Sequence, residues 1–136
     1  MRSVFVYITE SSMMEVEAFL SREFPGQSRP WIYPTQPQDN VLYIDLYDDL
    51  YKEEPDYLAE VISVLGEHPY ISIKADISGR HPGNKEVDYF MQLCLRTFKA
   101  VAQDDYSSHA WTLSEIQSGH QHQGHSFFDY LGWYNK

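Results

Sequence analysis

The sequence has one cysteine, no long hydrophobic run and few basic residues, and each shortage excludes a class of protein. Cys94 stands alone in 136 residues, so no intramolecular disulfide can form. No apolar stretch approaches the roughly twenty residues that a transmembrane helix needs. The N-terminal apolar run, residues 4–8, is also too short for a signal peptide. We therefore expect a cytoplasmic protein that does not enter the membrane.

Basic residues are outnumbered two to one. The chain has ten Lys and Arg against twenty Asp and Glu, which gives a net charge of −10. Proteins that bind nucleic acid neutralise its phosphates with clustered Lys and Arg, and anionic membranes attract the same clusters. The charge balance therefore argues against nucleic acid or a membrane surface as partner and favours a basic protein.

Apolar and aromatic residues are plentiful. They include eleven Tyr, seven Phe and three Trp, and hydrophobic residues make up 43% of the chain. This composition can bury a sizeable core and is not that of a disordered chain. No linker or internal repeat interrupts it. The sequence therefore predicts a single domain spanning residues 1–136.

Strand and helix patterns alternate along the first hundred residues. Strands are predicted at residues 4–8, 41–48 and 71–78, with a short edge strand at 31–33. Helices are predicted after a capping box at Ser12 and Glu15, from Pro55 to Gly66, and over residues 87–98. Two strands are apolar only at alternate positions, which is typical of a mixed or antiparallel sheet. We predict an α+β fold with about three amphipathic helices packed mainly on one face.

The third helix has the clearest periodicity and is predicted to be the longest. One stripe contains its apolar residues, which should all be mostly buried: Val87, Phe90, Met91, Cys94, Leu95 and Phe98. Cys94 is therefore interpreted as a core residue rather than a reactive thiol. Beyond this helix we predict a short strand at "KAVAQDD", a helical turn or two at "WTLSEI", and either a final strand or a docked aromatic tail at "SFFDYLGWYNK".

A glycine-bounded loop, "GRHPGNKE", lies between a strand and a helix, where phosphate-binding loops occur. A Walker loop needs four residues between its glycines and a Lys followed by Ser or Thr. Here three residues separate Gly79 from Gly83, and Glu86 takes the place of the hydroxyl. We interpret the segment as a turn that starts a helix. A weaker anion site formed by Arg80, His81 and Lys85 stays open.

An acidic, tyrosine-rich run is the strongest functional signal. Residues 39–60 hold eight acids and one lysine, so they carry −7 of the net charge of −10. A solvated strand face followed by an acid-rich helix start would explain part of this pattern. A protein-binding face is an equally good explanation, because acids steer a basic partner and tyrosines supply contact area. The candidate residues of this face are Tyr43, Asp45, Tyr47, Asp48, Asp49, Tyr51, Glu53 and Glu54.

A second candidate surface combines an acidic segment with the glycine-bounded loop. Its residues are Arg80, His81, Asp104, Asp105, His109 and Trp111. Asp104, Asp105 and His109 could serve a small hydrolase-like enzyme, with Arg80 and His81 holding an anionic substrate. A catalytic triad is recognised by geometry rather than by closeness in sequence, and the chain has no G-x-S-x-G motif. We therefore keep the enzyme as the alternative and expect no catalytic residues.

Three histidines lie close together in "GHQHQGH". The spacing of His120, His122 and His125 matches no established zinc motif, and no cysteine or acid stands between them. A polar loop explains the composition equally well. We predict no tightly bound metal and no cofactor.

Three segments together resemble small bacterial immunity proteins of polymorphic toxin systems: "ADISGRHPGNKEV", "VAQDDYSSHAWTLSEI" and "GHSFFDYLGWY". The resemblance covers residues 71–134. It implies a cytosolic, non-enzymatic antidote that binds one cognate toxin domain. Acidic and aromatic residues in these segments would be structural supports or toxin contacts, namely Asp104, Asp105, Trp111, Asp129 and Trp133. A third hypothesis is a subunit of a stable oligomer that buries its aromatic tail against another copy; the sequence leaves the oligomeric state open.

Overall fold

The predicted strands form a single sheet, and the predicted helices pack against it. The computed structural model describes residues 2–34 and 40–134, without the side chain of Tyr51. Its strands are β1 (Arg2–Thr9), β2 (Trp31–Tyr33), β3 (Leu42–Tyr47), β4 (Ile71–Ile77) and β5 (Lys99–Asp104). Its helices are α1 (Met13–Glu23), α2 (Pro55–Leu65), α3 (Asn84–Thr97), α4 (Leu113–Ser118) and α5 (Tyr130–Tyr134), and a 3-10 turn spans Leu50–Lys52.

The five strands form one sheet in the order β2-β3-β4-β1-β5, and every neighbouring pair is antiparallel. Val6, at the middle of β1, lies opposite Ile73 of β4 on one side and Ala102 of β5 on the other. This confirms the α+β class and selects the antiparallel sheet from the two forms predicted.

On each edge strand, one residue has its outward backbone groups paired with a group of the same chain. At β2, the Gln27 side chain accepts from the Ile32 amide (2.8 Å) and donates to its carbonyl (3.0 Å). At β5, Ala102 and Trp111 exchange backbone hydrogen bonds of 2.9 and 2.7 Å. The backbone groups that an edge strand exposes at these positions are therefore already satisfied.

Helices α1 and α3 cover the first face of the sheet. Alternate residues of β1, such as Val4 and Val6, pack against both helices in the main core. The helix α3 is the longest, and its predicted stripe is buried from Val87 to Leu95, including Cys94. Phe98 caps the helix end and is less deeply buried, with its ring edge against Phe19 at 5.0 Å. The predictions for this helix and for Cys94 are confirmed.

Helix α2 packs on the opposite face, so only two of the three predicted helices share a face. Its residues Leu58, Val61 and Leu65 form a smaller core with Tyr7 and Val101. The reason is that β1 is apolar on both sides and therefore offers a packing surface to each layer. Helix α2 covers only the β1 and β5 half of this second face.

The glycine-bounded loop is a turn that leads directly into α3, as interpreted from the sequence. Gly83 precedes the helix with φ of +78°, a conformation that side chains disfavour. A Cβ there would also lie 2.6 Å from Ile77 Cγ2. The Arg2 guanidinium donates to the carbonyls of Ser78 (3.1 Å) and Pro82 (2.6 Å) and so holds the loop against β1.

The C-terminal segment docks as an aromatic tail rather than adding a strand. Phe128 is buried in the main core, and the short helix α5 follows it. The "KAVAQDD" segment forms β5, and "WTLSEI" contributes to α4, as predicted. Within residues 2–34 and 40–134, no helix is long and apolar enough to cross a membrane.

Candidate functional site

The half of the second sheet face that no described helix covers carries the acidic, tyrosine-rich candidates. Tyr43 and Tyr47 point outward from β3 and remain 37% and 39% exposed. Asp45 lies between them and opposite Lys74 of the neighbouring strand, while Asp76 lies opposite Tyr43. We call this surface, formed by Tyr43, Asp45, Tyr47, Lys74 and Asp76, the open face.

The acids at the border of the open face differ in their partners. Asp45 holds the Arg29 guanidinium at 2.8 Å, and Asp49 lies 3.2 Å from the Lys52 ammonium. Asp48, Glu53 and Glu54 are exposed, and within the described part of the chain none of them has an ion pair. The acids without an ion pair therefore lie along the border of the open face, with Asp48 next to Tyr47 and Glu54 in a cleft that Asp105 also lines. Tyr51 belongs to the adjoining turn, but its side chain lies outside the described residues.

Asp105, which directly follows β5, lies beside the open face near the start of β1. Its carboxylate accepts a hydrogen bond from the Ser3 amide at 2.6 Å, and the Ser3 hydroxyl donates to Asp76. Loss of water around the carboxylate raises the pKa of Asp105; the Ser3 bond opposes this effect and the Asp104 charge adds to it. The two carboxylates extend the acidic character of the face beyond the run at residues 39–60.

Asp104 points in the opposite direction and supports the fold. It is 4% exposed and accepts from the amides of Tyr106 (3.1 Å) and Phe128 (2.9 Å). Burial raises the pKa of this carboxyl, although these amide bonds act in the other direction. Asp104 therefore fastens the C-terminal segment to β5, and its position is that of a structural support.

The other members of the second candidate surface lie in separate places. Trp111 is buried beside β5. Arg80 and His81 border an open cleft of about 790 Å³, whose remaining walls include Tyr106, Tyr130 and Trp133. Asp104, Asp105 and His109 bond to three different groups, so the structure does not bring the proposed hydrolase residues together as one hydrogen-bonded unit.

His109 belongs instead to a cluster that the sequence pattern missed. Its Nε2 lies 3.2 Å from Glu115 Oε2, and His120 Nε2 lies 3.3 Å from the same oxygen. The His122 ring stacks on His109 at 4.5 Å. His125 lies apart and contacts Asp129 Oδ2 at 3.0 Å. Only His120 of the three histidines in "GHQHQGH" therefore reaches an acid of this cluster.

Glu115 is held in the cluster by its place at the start of α4. Thr112 and Glu115 form a reciprocal capping box, in which Glu115 Oε1 accepts from the Thr112 amide at 3.0 Å. Burial acts to raise the pKa of Glu115, but the Thr112 bond and the charges of His109 and His120 outweigh it and leave the pKa below its ordinary value. The T-x-x-E pattern was the one sequence signal for this position.

Comparisons of the chain with protein-family models, curated proteins and solved structures find no match.

Proposed function

We propose that the protein binds and neutralises a basic protein domain, of the kind found in bacterial toxins, through the open face. The observation that carries this proposal is the half of the second sheet face that no described helix covers. Two exposed tyrosines lie there, and the bordering acids Asp48, Glu53 and Glu54 have no ion pair with a described basic residue. The resemblance of residues 71–134 to immunity proteins supports the same class of partner.

The open face suits protein recognition because its side chains are held on a rigid platform. Tyr43 and Tyr47 project from β3, which pairs with β4 at both residues and with β2 at Tyr43. Tyrosine offers a large contact area and a hydroxyl while losing little side-chain entropy, which is why it is frequent at the centre of interfaces. These two residues are therefore the expected anchors.

The charges assign different roles to the acids. Asp48, Glu53 and Glu54 are exposed at the border and would accelerate encounter with a basic partner. Asp45 and Asp49 already contact Arg29 and Lys52, so we expect them to contribute less than the sequence alone predicted. A toxin domain that acts on nucleic acid presents a basic cleft, and an acidic face can occupy it in place of the phosphates.

Binding kinetics at two salt concentrations test the role of the acids. The proposed ligand is a basic toxin domain, which we expect to be encoded beside the gene for this protein. Glu53→Gln/Glu54→Gln should slow association and flatten its salt dependence, because rim charges act mainly on the association rate. The matched control is Glu17→Gln/Asp88→Asn, which removes two exposed acids from α1 and α3. If both double variants associate like the parent, the acidic border does not steer the partner.

Dissociation rates test the tyrosine anchors separately. Tyr47→Ala should raise the dissociation rate by tenfold or more, since a truncated anchor typically costs about 2 kcal/mol. Tyr89→Ala is the control, because Tyr89 is 45% exposed on α3 and lies away from the open face. Equal dissociation rates for parent and Tyr47→Ala, with Tyr43→Ala also unchanged, would contradict the proposed interface.

A further inference from the structure

We propose that His109, Glu115 and His120 form a binding site for one divalent transition-metal ion of the zinc class. Each residue offers a donor atom, and the three donors lie within 4.8 Å of one another. The site is independent of the open face and of the function proposed for it. It also departs from the expectation drawn from "GHQHQGH", because two of its three ligands lie outside that segment.

The distances between the donors suit a tetrahedral ion. Zinc binds imidazole nitrogen and carboxylate oxygen at about 2.0–2.2 Å, which places neighbouring ligand atoms about 3.4 Å apart. The Nε2 atoms of His109 and His120 lie 3.2 and 3.3 Å from Glu115 Oε2. The third distance, between the two imidazole donors, is at most 4.8 Å, so an ion bound to all three residues would draw the imidazoles towards the tetrahedral spacing.

The ligands are oriented by contacts outside the site. The Thr112 amide occupies Glu115 Oε1 and fixes the carboxylate with Oε2 directed towards both imidazoles. The His109 ring makes a T-shaped contact with Trp111 and stacks on His122, with centroid distances of 4.6 and 4.5 Å. A hydrogen bond to a ligating carboxylate, such as that from the Thr112 amide, usually supports the ligand and strengthens metal affinity.

The donor set determines which metals are expected. Two imidazoles and one carboxylate suit zinc and its neighbours in the transition series, whereas calcium and magnesium prefer all-oxygen sites. Three protein ligands leave a fourth position for water or another ligand. Glu115 and His120 also line a cavity of about 280 Å³, which gives such a ligand room.

Titration of the tag-free, full-length protein with Zn²⁺ tests the site, with calorimetry as the readout. Co²⁺ provides a second readout through the visible absorption of its tetrahedral complexes. We expect one equivalent to bind. Glu115→Gln removes the charge but preserves the capping box, since Gln can replace Glu in that motif. His120→Ala removes a half-exposed ligand with little effect on packing.

Each of these two variants should weaken zinc binding at least tenfold. His68→Ala should bind like the parent, because His68 is exposed and outside the cluster. His122→Ala should weaken binding less than these two variants, since that ring stacks on His109 and is not among the three donors of the cluster. The proposal is overturned if the parent binds no zinc, or if Glu115→Gln and His120→Ala both retain the parent's affinity.

Discussion

Two neighbouring aspartates, Asp104 and Asp105, perform different tasks because strand residues alternate between the faces of a sheet. Asp104 is buried and holds the backbone of the C-terminal segment, whereas Asp105 contributes its charge to the open face. The sequence correctly indicated that the pair lies at the end of a strand. The prediction nevertheless assigned both aspartates to the same candidate surface. The alternation was visible in "KAVAQDD", yet the backbone partners of Asp104 come from residues that no local pattern connects to it.

The buried Asp104 predicts a pH-dependent stability. A carboxyl whose pKa is higher in the folded state binds more protons there, so the free energy of unfolding falls as the pH rises from about 4 through the raised pKa. Asp104→Asn removes this titration, although it loses an acceptor for one amide and should cost about 1–3 kcal/mol. We expect the deficit of the variant relative to the parent to shrink as the pH rises through this range.

Urea unfolding at several pH values from 4 to 7 measures this deficit. Glu54→Gln, which removes an exposed acid, serves as the comparison for a charge change alone. A deficit for Asp104→Asn that stays constant across the range would show that the carboxyl does not titrate differently on folding.

Among the secondary-structure elements, local patterns predicted most of the helices and strands. The capping box at Ser12, the proline at the start of α2 and the apolar stripe of α3 each have a local physical cause, and each is present in the structure. The face against which α2 packs was not predictable in the same way. Its stripe identifies which helix residues are buried, but only the sheet order shows that β1 and β5 supply the surface.

The turn before α3 is predicted to require glycine at position 83. Gly83→Ala should lower the free energy of unfolding by about 1–3 kcal/mol, because it combines an unfavourable positive φ with a contact to Ile77. Gly79→Ala is the matched control, since nothing lies within 4 Å of a Cβ at that position and its φ is not in the left-handed region. Thermal or chemical unfolding of both variants measures the difference, and equal stabilities would show that the turn does not require glycine.

For the whole molecule, the candidate site was only partly predictable. The charge excess of residues 39–60 indicated an acidic surface, and β3 does present Tyr43 and Tyr47 to solvent. The sequence could not show that Lys74 and Asp76 complete the face, or that Arg29 contacts Asp45 from 16 residues away. Those contacts depend on the order of the strands in the sheet. The histidine cluster depends in the same way on how α4 packs against the neighbouring loops.

The excess of acids over the whole molecule predicts that salt stabilises the fold. At a net charge of −10 the acids repel one another, and dissolved ions screen that repulsion over about 8 Å at physiological ionic strength. Raising the ionic strength from a low value should increase the melting temperature of the parent. The increase should be smaller in Asp48→Asn/Glu53→Gln/Glu54→Gln, and Tyr47→Phe, which keeps every charge, should behave like the parent. A larger increase in the triple variant than in the parent would contradict this prediction.

The paired residues on the two edge strands affect how another protein can bind to the sheet. Gln27 occupies the outward amide and carbonyl of Ile32 at one edge, and Trp111 occupies those of Ala102 at the other. A foreign strand would have to displace these groups before it could add to the sheet. The addition of a foreign strand is therefore disfavoured at these two positions of the edges. At these positions a partner contacts the side chains of a sheet face, and side chains select a partner by shape and charge. An open edge backbone, in contrast, pairs with almost any extended chain.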